Sequence, residues 1–470
     1  MTRAEFQKVW QAGFVILDGA TGSNLQKAGM PAGVCPEAWI LENPSVLINL
    51  QKEFVQAGTR ILYAPTFAAN RLKLASYGLE KDLVRINQEL VKLSREAAEG
   101  KALVAGDMTM TGEMLSPIGD LELEELIDIY KEQAQALYDA GVDLFIVETM
   151  MSLQETRAAV LAIREICDLP VMVSMTFEES GRTLYGTSCE AAVNVLQNLG
   201  ADVVGMNCST GPEGMLSNLQ RMVSCAAVPV LAKPNAGKPQ IVDGMTVYPA
   251  VPEAFAEAGK KLAEAGARFL GGCCGTTPEH IRQLTEALQN LEPLPVSEVT
   301  GCMLASERET IEIQAEDADC ILGDQIDPAD DEVQEALRDE DMDTILDLAQ
   351  DQADEEVSVL NLCTALEGVD EKGLMISAID EVTQMISCAL SVETADPEVL
   401  EAALRRYAGR ALVNVSGLKD EEIRGLLPVA EKYGALLAVR EDIGQESPYR
   451  LTSLKKGTVL RVIKGSRLTF

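Results

Sequence analysis

The chain has 470 residues, of which 47% are hydrophobic, and its formal net charge is −35. This length predicts two domains, and the hydrophobic content excludes a disordered chain. So acidic a surface repels phosphate backbones, and no basic stripe in the sequence offsets it, so we expect no nucleic-acid binding.

The N-terminus does not resemble a targeting segment. The first ten residues mix Arg3, Glu5 and Lys8 with apolar side chains, unlike a signal peptide. No later stretch is long and apolar enough to span a bilayer, so we expect a cytoplasmic protein without a membrane segment. In that reducing compartment the eleven cysteines favour buried thiols, metal ligands or reactive thiols over a disulfide framework.

Short apolar runs alternate with amphipathic stretches from the N-terminus to about residue 290. We predict eight strands, at residues 14–19, 60–66, 102–107, 144–149, 171–177, 203–208, 229–234 and 269–273. Eight strands that alternate with helices indicate an α/β fold with a parallel sheet, either a closed (β/α)8 TIM barrel or an open, doubly wound sheet. The sequence has neither a GxGxxG motif after the first strand nor a P-loop, which favours the barrel.

The pattern changes after two prolines within residues 291–295. We predict a first domain at residues 1–295, a linker at 296–309 and a second domain at 310–470. The second domain begins with an acidic helical stretch, followed by four strand-like runs at 357–362, 388–393, 411–415 and 435–439, which is half of what a barrel needs. Such a half barrel has open strand edges, and the β-like residues 450–470, the first domain or a partner must cover them.

Three cysteines follow two of the predicted strands. Cys208 ends the sixth strand, and Cys273 and Cys274 end the eighth between flanking glycines. Active sites of βα barrels lie at these strand ends, and catalytic zinc sites keep three protein ligands and one open position, so we predict that the three thiolates bind Zn²⁺. The alternatives are a chance pair of buried cysteines, a vicinal disulfide, which the cytosol disfavours, or a structural zinc site, which usually has four protein ligands.

A zinc ion with three thiolate ligands and an open position suits a soft ligand such as a substrate thiol. Binding to the metal lowers the pKa of the thiol, so the thiolate predominates at neutral pH and attacks an activated methyl group. The three cysteines are therefore the predicted catalytic residues as well as the predicted metal ligands.

Other strand ends carry candidates for binding an amino-acid substrate. Asp18 and Glu148 each end a strand on the same barrel face, where two carboxylates can bind an ammonium group. The backbone amides of Gly19 and Ala20 are candidates for binding the substrate carboxylate. Asn207, next to the cysteine of the sixth strand, is a further candidate substrate-binding residue. The alternative for Asp18 is a turn-forming role before glycine.

These residues resemble motifs of the homocysteine S-methyltransferase family across residues 8–290. The matching segments are Asp18-Gly19-Ala20-Thr21-Gly22, Pro65-Thr66-Phe67-Ala68-Ala69-Asn70, Val147-Glu148-Thr149, Val173-Ser174-Met175-Thr176-Phe177, Asn207-Cys208-Ser209, Lys233-Pro234-Asn235-Ala236-Gly237 and Gly271-Gly272-Cys273-Cys274-Gly275. The resemblance implies that the three cysteines bind zinc, that the zinc binds homocysteine, and that Asp18 and Glu148 bind the rest of homocysteine.

The whole chain resembles the N-terminal part of the cobalamin-dependent methionine synthases, in which a second barrel binds methyltetrahydrofolate. Residues 322–437 are similar to the first half of that barrel, with Asn414 kept. Three pterin-site motifs differ, however, and read Gly323-Asp324-Gln325-Ile326-Asp327-Pro328, Asn361-Leu362-Cys363 and Glu393-Thr394. These changes leave the hydrogen-bonding groups of a pterin without partners in the protein. We therefore expect a truncated domain that serves as a docking or scaffold module.

The resemblance implies methyl transfer to homocysteine, which gives methionine. The likeness to methionine synthases favours methylcobalamin on a separate corrinoid protein as the methyl donor. S-methylmethionine and methyltetrahydrofolate are the alternative donors. A protein that binds zinc and homocysteine without turnover is the alternative from another class, and the intact strand-end residues of the first domain argue against it.

Overall fold

The computed structural model describes residues 1–242, 245–297, 301–313, 320–444, 447–453, 455 and 459–465. The chain folds into two compact units. The first consists of Met1–Cys189 and Gly200–Glu298, and the second of Glu190–Leu199 and Val299–Phe470. Among the described residues, no helix has the length and apolar character needed to cross a membrane.

The strands up to residue 270 form a parallel barrel and one hairpin. They are β1 (Val15–Ile16), β2 (Ile61–Tyr63), β3 (Leu103–Met108), β4 (Leu144–Met150), β5 (Val171–Met175), β6 (Val203–Asn207), β7 (Val230–Lys233), β8 (Gln240–Val242), β9 (Met245–Val247) and β10 (Ala267–Leu270). All except the antiparallel β8–β9 hairpin lie in one parallel sheet, in which β10 pairs with both β7 and β1. A bridge from Leu17 to Ile61 joins β1 to β2, so the sheet curls into the predicted TIM barrel.

Helices alternate with these strands. They are α1 (Arg3–Gln11), α2 (Gly22–Lys27), α3 (Pro36–Glu42), α4 (Pro44–Gln56), α5 (Arg71–Ala75), α6 (Leu83–Ala98), α7 (Leu123–Asp139), α8 (Leu153–Ile166), α9 (Cys189–Asn198), α10 (Pro212–Cys225), α11 (Pro252–Glu264) and α12 (Pro278–Leu288). Local sequence sets several starts. Thr2 forms a capping box with Glu5, Ser152 caps α8, and prolines occupy the first turns of α10, α11 and α12.

The interior of the first barrel is a packed hydrophobic core. One cluster of buried side chains draws on all eight parallel strands, and Phe6 of α1 joins it with its ring 5.8 Å from that of Phe269. Because the interior is filled with side chains, a ligand reaches the strand ends and not a central pore.

From Cys302 onward, the described residues of the second unit form nine strands and five helices, and α9 without Cys189 also belongs to this unit. The strands are β11 (Cys302–Ala305), β12 (Thr310–Ile313), β13 (Ile321–Gly323), β14 (Val359–Cys363), β15 (Ala389–Glu393), β16 (Leu412–Asn414), β17 (Leu436–Arg440), β18 (Arg450–Ser453) and β19 (Val459–Lys464). The helices are α13 (Asp331–Asp339), α14 (Met342–Asp354), α15 (Glu371–Met385), α16 (Pro397–Arg406) and α17 (Asp420–Lys432). The antiparallel hairpin β11–β12 begins within residues 296–309, which the sequence analysis assigned to a linker.

The second unit contains a closed barrel, whereas the sequence predicted half of one. Its five parallel strands run from β13 to β17, and β13 was not predicted. The C-terminal hairpin fills the remaining gap, since β19 pairs antiparallel with β17 and β18 pairs parallel with β13. The C-terminal hairpin therefore pairs with both open strand edges. Of the three alternatives predicted for these edges, residues 450–470 are the one that the structure shows.

We expect the buried face of this hairpin to stabilise the second barrel. Val462 is 1% exposed and packs in a core cluster with residues of all five parallel strands, whereas Val459 of the same strand is 37% exposed. Val462→Ala should therefore destabilise the second unit by about 2 kcal/mol, and Val459→Ala by much less. Hydrogen exchange of peptides from residues 320–444 measures the difference, and equal exchange in the two variants would contradict the packing argument.

Candidate metal and substrate site

The three cysteines predicted to bind zinc meet at the C-terminal end of the first barrel. Cys208 directly follows β6, and Cys273 and Cys274 follow β10. Their sulfur atoms lie within 4.8 Å of one another, and within the described residues they are the one group of three or more His, Cys, Asp or Glu side chains with such a geometry. Tetrahedral zinc with bonds of about 2.3 Å places sulfur atoms ~3.8 Å apart, so the cluster needs only a small contraction to hold the ion.

The backbone around the cysteines is tied to the end of β7. The amide of Cys208 donates a hydrogen bond to the carbonyl oxygen of Lys233, and that of Cys273 donates to Pro234. Cys208 and Ser209 have φ angles of 63° and 54°, in the left-handed region that ordinary side chains disfavour. Such conformations cost about 1–3 kcal/mol each and persist where surrounding structure enforces them, which is common at functional sites.

Asn207 is buried and makes contacts within the protein. Its amide oxygen accepts hydrogen bonds from the backbone N–H of Thr149 at 3.0 Å and from the hydroxyl of Ser174 at 2.8 Å. Its amide nitrogen donates to Thr149 Oγ1 at 2.7 Å and lies 3.9 Å from the sulfur of Cys273. Thr149 has a φ angle of 59°, an unusual conformation for a β-branched residue, and Asn207 binds both its backbone N–H and its hydroxyl group.

A cavity of about 660 Å³ opens over the cysteines. Its wall includes every predicted site residue except Asn207, namely Asp18, Gly19, Ala20, Glu148, Cys208, Cys273 and Cys274. The amide of Ala20 already donates to Thr276 Oγ1 at 3.0 Å, so of the two predicted carboxylate-binding amides it is engaged within the protein. The structure thus brings the predicted metal ligands and both predicted acids into one cavity.

The structure adds a cation that the sequence analysis did not assign. Lys233, the last residue of β7, is buried with its Nζ 3.1 Å from Asp18 Oδ1 and 3.7 Å from Glu148 Oε2. The same Nζ lies 3.8 Å from the centre of the Tyr63 ring, a cation–π contact. The available signal was a lysine that ends an apolar strand, where a charge is costly unless it is paired.

Burial and pairing act in opposite directions on the ionisable groups of the cavity. Burial raises the pKa of Asp18 and of Glu148, and the ammonium group of Lys233 opposes that shift. Burial disfavours the charged form of Lys233, but the two carboxylates raise its pKa well above the usual value. For Asp107, which also lines the cavity, burial and the nearby Glu148 both raise the pKa.

The sequence is similar to a known enzyme family and to two methionine synthases. Residues 15–288 match the family model described as homocysteine S-methyltransferase. The methionine synthase of Mycobacterium tuberculosis is 30% identical over 451 residues, and that of Mycobacterium leprae is 29% identical over 455 residues. Both alignments cover 90% of this chain but only 38% of the relative, so the chain spans little more than a third of the length of these proteins.

A solved structure shares the fold of the first unit. The metallated form of the homocysteine methyltransferase MmuM from Escherichia coli aligns with a TM-score of 0.51 and 24% sequence identity. The alignment covers 60% of this chain and 98% of that protein. At this level of identity the likeness bears on the fold alone, and it agrees with the (β/α)8 barrel described above.

We expect Asn207→Ala to destabilise the first unit. The substitution leaves the backbone N–H of Thr149 and the hydroxyl of Ser174 without their acceptor, so the free energy of unfolding should fall by about 2–4 kcal/mol. Both tryptophans, Trp10 and Trp39, lie in the first unit, so their fluorescence during guanidinium unfolding follows that unit.

The control for this prediction is Asn290→Ala, which changes an exposed asparagine beyond α12. Its unfolding free energy should stay within ~0.5 kcal/mol of the wild-type value. A similar loss in both variants would show that the Asn207 contacts do not contribute to stability.

Proposed function

This chain belongs to the homocysteine S-methyltransferase family, and we propose that it transfers a methyl group to the thiol of homocysteine to give methionine. The observation that carries the proposal is the convergence of three cysteine sulfur atoms within 4.8 Å, in the wall of a cavity that also contains the two predicted acids, Asp18 and Glu148. The thiolates can hold a zinc ion that binds the substrate thiol, and the acidic side chains can pair with the ammonium group of an amino acid.

The donor set of the site fits a catalytic zinc ion. Cys208, Cys273 and Cys274 supply three soft ligands, and within the described residues no fourth Cys, His or acidic side chain joins their cluster. When bound there, Zn²⁺ supplies a Lewis acid that lowers the pKa of an incoming thiol. The three cysteines would hold the ion, and the cavity over them would give a substrate thiol access to it.

The other groups of the cavity orient the amino-acid end of homocysteine. We assign its ammonium group to the acidic side of the cavity, where the predicted residues Asp18 and Glu148 lie, and its carboxylate to the backbone at Gly19 and Ala20. Of these two amides, that of Ala20 must exchange its bond with Thr276 Oγ1 for one with the substrate. Asn207 does not line the cavity, and its contacts favour a role in holding Thr149 and the neighbourhood of Cys273 in place.

The proposed methyl donor is methylcobalamin carried by a separate corrinoid protein. The likeness to methionine synthases over 90% of this chain supports a donor of that class over S-methylmethionine. The second barrel is an unsuitable folate site, because the amides of Asn361 and Asn414 already donate to one oxygen of Glu393 at 2.9 and 2.8 Å. We therefore keep the proposal that this barrel serves as a docking or scaffold module.

The metal assignment is tested by measuring zinc content and methionine formation in the wild type, Cys208→Ala and Cys225→Ala. Cys225 is a buried cysteine at the end of α10, outside the cluster, and serves as the matched control. We expect about one zinc per chain in the wild type and the control. Cys208→Ala should lose zinc and reduce methionine formation by more than about 100-fold, because even changes behind a metal ligand cost 10- to 100-fold.

Each donor is supplied separately in the same assay: a methylated corrinoid protein, free methylcobalamin, S-methylmethionine and methyltetrahydrofolate. Turnover should be fastest with the corrinoid protein. A comparable rate with S-methylmethionine alone would overturn the donor assignment. Zinc and homocysteine binding without methionine from any donor would instead support the non-catalytic binding protein.

A further inference from the structure

The cavity of the first barrel holds more buried negative charge than its own cation balances. Asp18, Glu37, Asp107 and Glu148 line it together with Lys233, and all five side chains are buried. Four carboxylates against one ammonium leave three uncompensated negative charges when all five groups are ionised. Lys73 also lines the cavity but forms no ion pair with these acids among the described contacts.

The four carboxylates differ in their partners. Glu37 accepts hydrogen bonds from the backbone N–H of Ala68 at 3.0 Å and from the thiol of Cys35 at 3.4 Å. Asp18 accepts a hydrogen bond from the backbone N–H of Tyr63 at 2.8 Å and pairs with Lys233. Glu148 lies 3.7 Å from the same lysine, too far for a hydrogen bond. Asp107 is 4% exposed, and its Oδ1 has no hydrogen-bond partner within the described part of the chain. Within the described part of the chain, Asp107 is thus the acid of this group with a buried carboxylate oxygen that neither an ion pair nor a hydrogen bond satisfies.

The register of the barrel places Asp107 and Glu148 on the same side of the sheet. Asp107 on β3 is aligned with Ile146 on β4, and Glu148 follows two residues later, with side chains that alternate between the two faces. Both residues line the cavity. Their carboxyl groups thus border one region, next to the position that Lys233 fills between Asp18 and Glu148.

A buried carboxylate without a partner is unfavourable, and it is retained where a ligand completes it. We propose that the cavity has two cation positions. Lys233 fills the first, between Asp18 and Glu148, and the second, bordered by Asp107 and Glu148, binds the ammonium group of the substrate. Asp107 is then a specificity-determining residue that selects amino-acid thiols over thiols without an ammonium group. This inference rests on the proposed function and refines the binding of the same substrate.

The test compares homocysteine with 4-mercaptobutanoate, which has the same thiol and carboxylate but a hydrogen atom in place of the ammonium group. Binding to the zinc-loaded protein by calorimetry and kcat/KM for methylation are measured for the wild type and Asp107→Asn. In the variant, affinity and kcat/KM for homocysteine should fall by about 10- to 100-fold, mainly through KM, while the values for 4-mercaptobutanoate change by less than about twofold. Asp139→Asn, at an exposed acid at the end of α7, should change neither.

A second measurement separates a ligand-binding role from a structural one. The raised pKa of Asp107 means that the folded protein binds its proton more tightly than the unfolded chain does, so stability falls as the pH rises from the unfolded value through the folded one. Asparagine has no such proton to lose. Asp107→Asn should therefore raise the midpoint of unfolding at pH 8, followed by tryptophan fluorescence, although it weakens homocysteine binding.

Equal losses of affinity for both thiols, or a lower unfolding midpoint in Asp107→Asn, would overturn the assignment of the second cation position. Calorimetry reports binding without turnover, so the two failures are distinguishable. If no donor supports methylation but wild type and Asp107→Asn still differ in homocysteine preference, the proposed function fails and the ammonium site stands. If neither thiol binds the zinc-loaded wild type, both are overturned.

Discussion

The parallel pairing of β7 with both β6 and β10 is the constraint on which the site depends. The cysteines lie on the two outer strand ends, and β7 sets the distance between them. Backbone hydrogen bonds from the amides of Cys208 and Cys273 to the end of β7 fix both loops, and the amide of Ala236 returns a bond to the carbonyl oxygen of Cys274. The same strand ends in Lys233, which reaches Asp18 beyond the end of β1 and Glu148 on β4. One strand therefore organises the metal ligands and the charged side of the cavity.

The barrel provides the stability that this arrangement requires. Left-handed backbone at Thr149, Cys208 and Ser209 and unmatched buried carboxylates are each unfavourable, and they concentrate at one end of a sheet whose interior is fully packed. Such unfavourable backbone conformations and buried charges are expected where a binding site is preorganised for its ligand. The strain and the surplus charge thus have a common explanation in ligand binding, whereas the rest of the barrel follows ordinary packing rules.

The sequence was informative where local pattern and chemistry agree. All eight strands of the first barrel were predicted, because each is a short apolar run between turn-forming residues, and the strand-end rule then placed the cysteines together. Lys233 was not assigned, because its partners Asp18 and Glu148 lie 215 and 85 residues away, and nothing local indicates the pairing. The second barrel was judged incomplete because β13 has only three residues and because its closure depends on a hairpin between distant strands.

The closure of the second barrel bears on the proposed docking role of that domain. A half barrel with two open edges would need a cover, and those edges themselves would have been an argument for a partner. In the closed ring, β18 and β19 satisfy both edges, and their buried residues join the core of the parallel strands. Glu393 is likewise paired internally with Asn361 and Asn414. The second unit thus contains a closed barrel of seven strands. A docking role must therefore rest on the outer surface of this barrel and not on open strand edges.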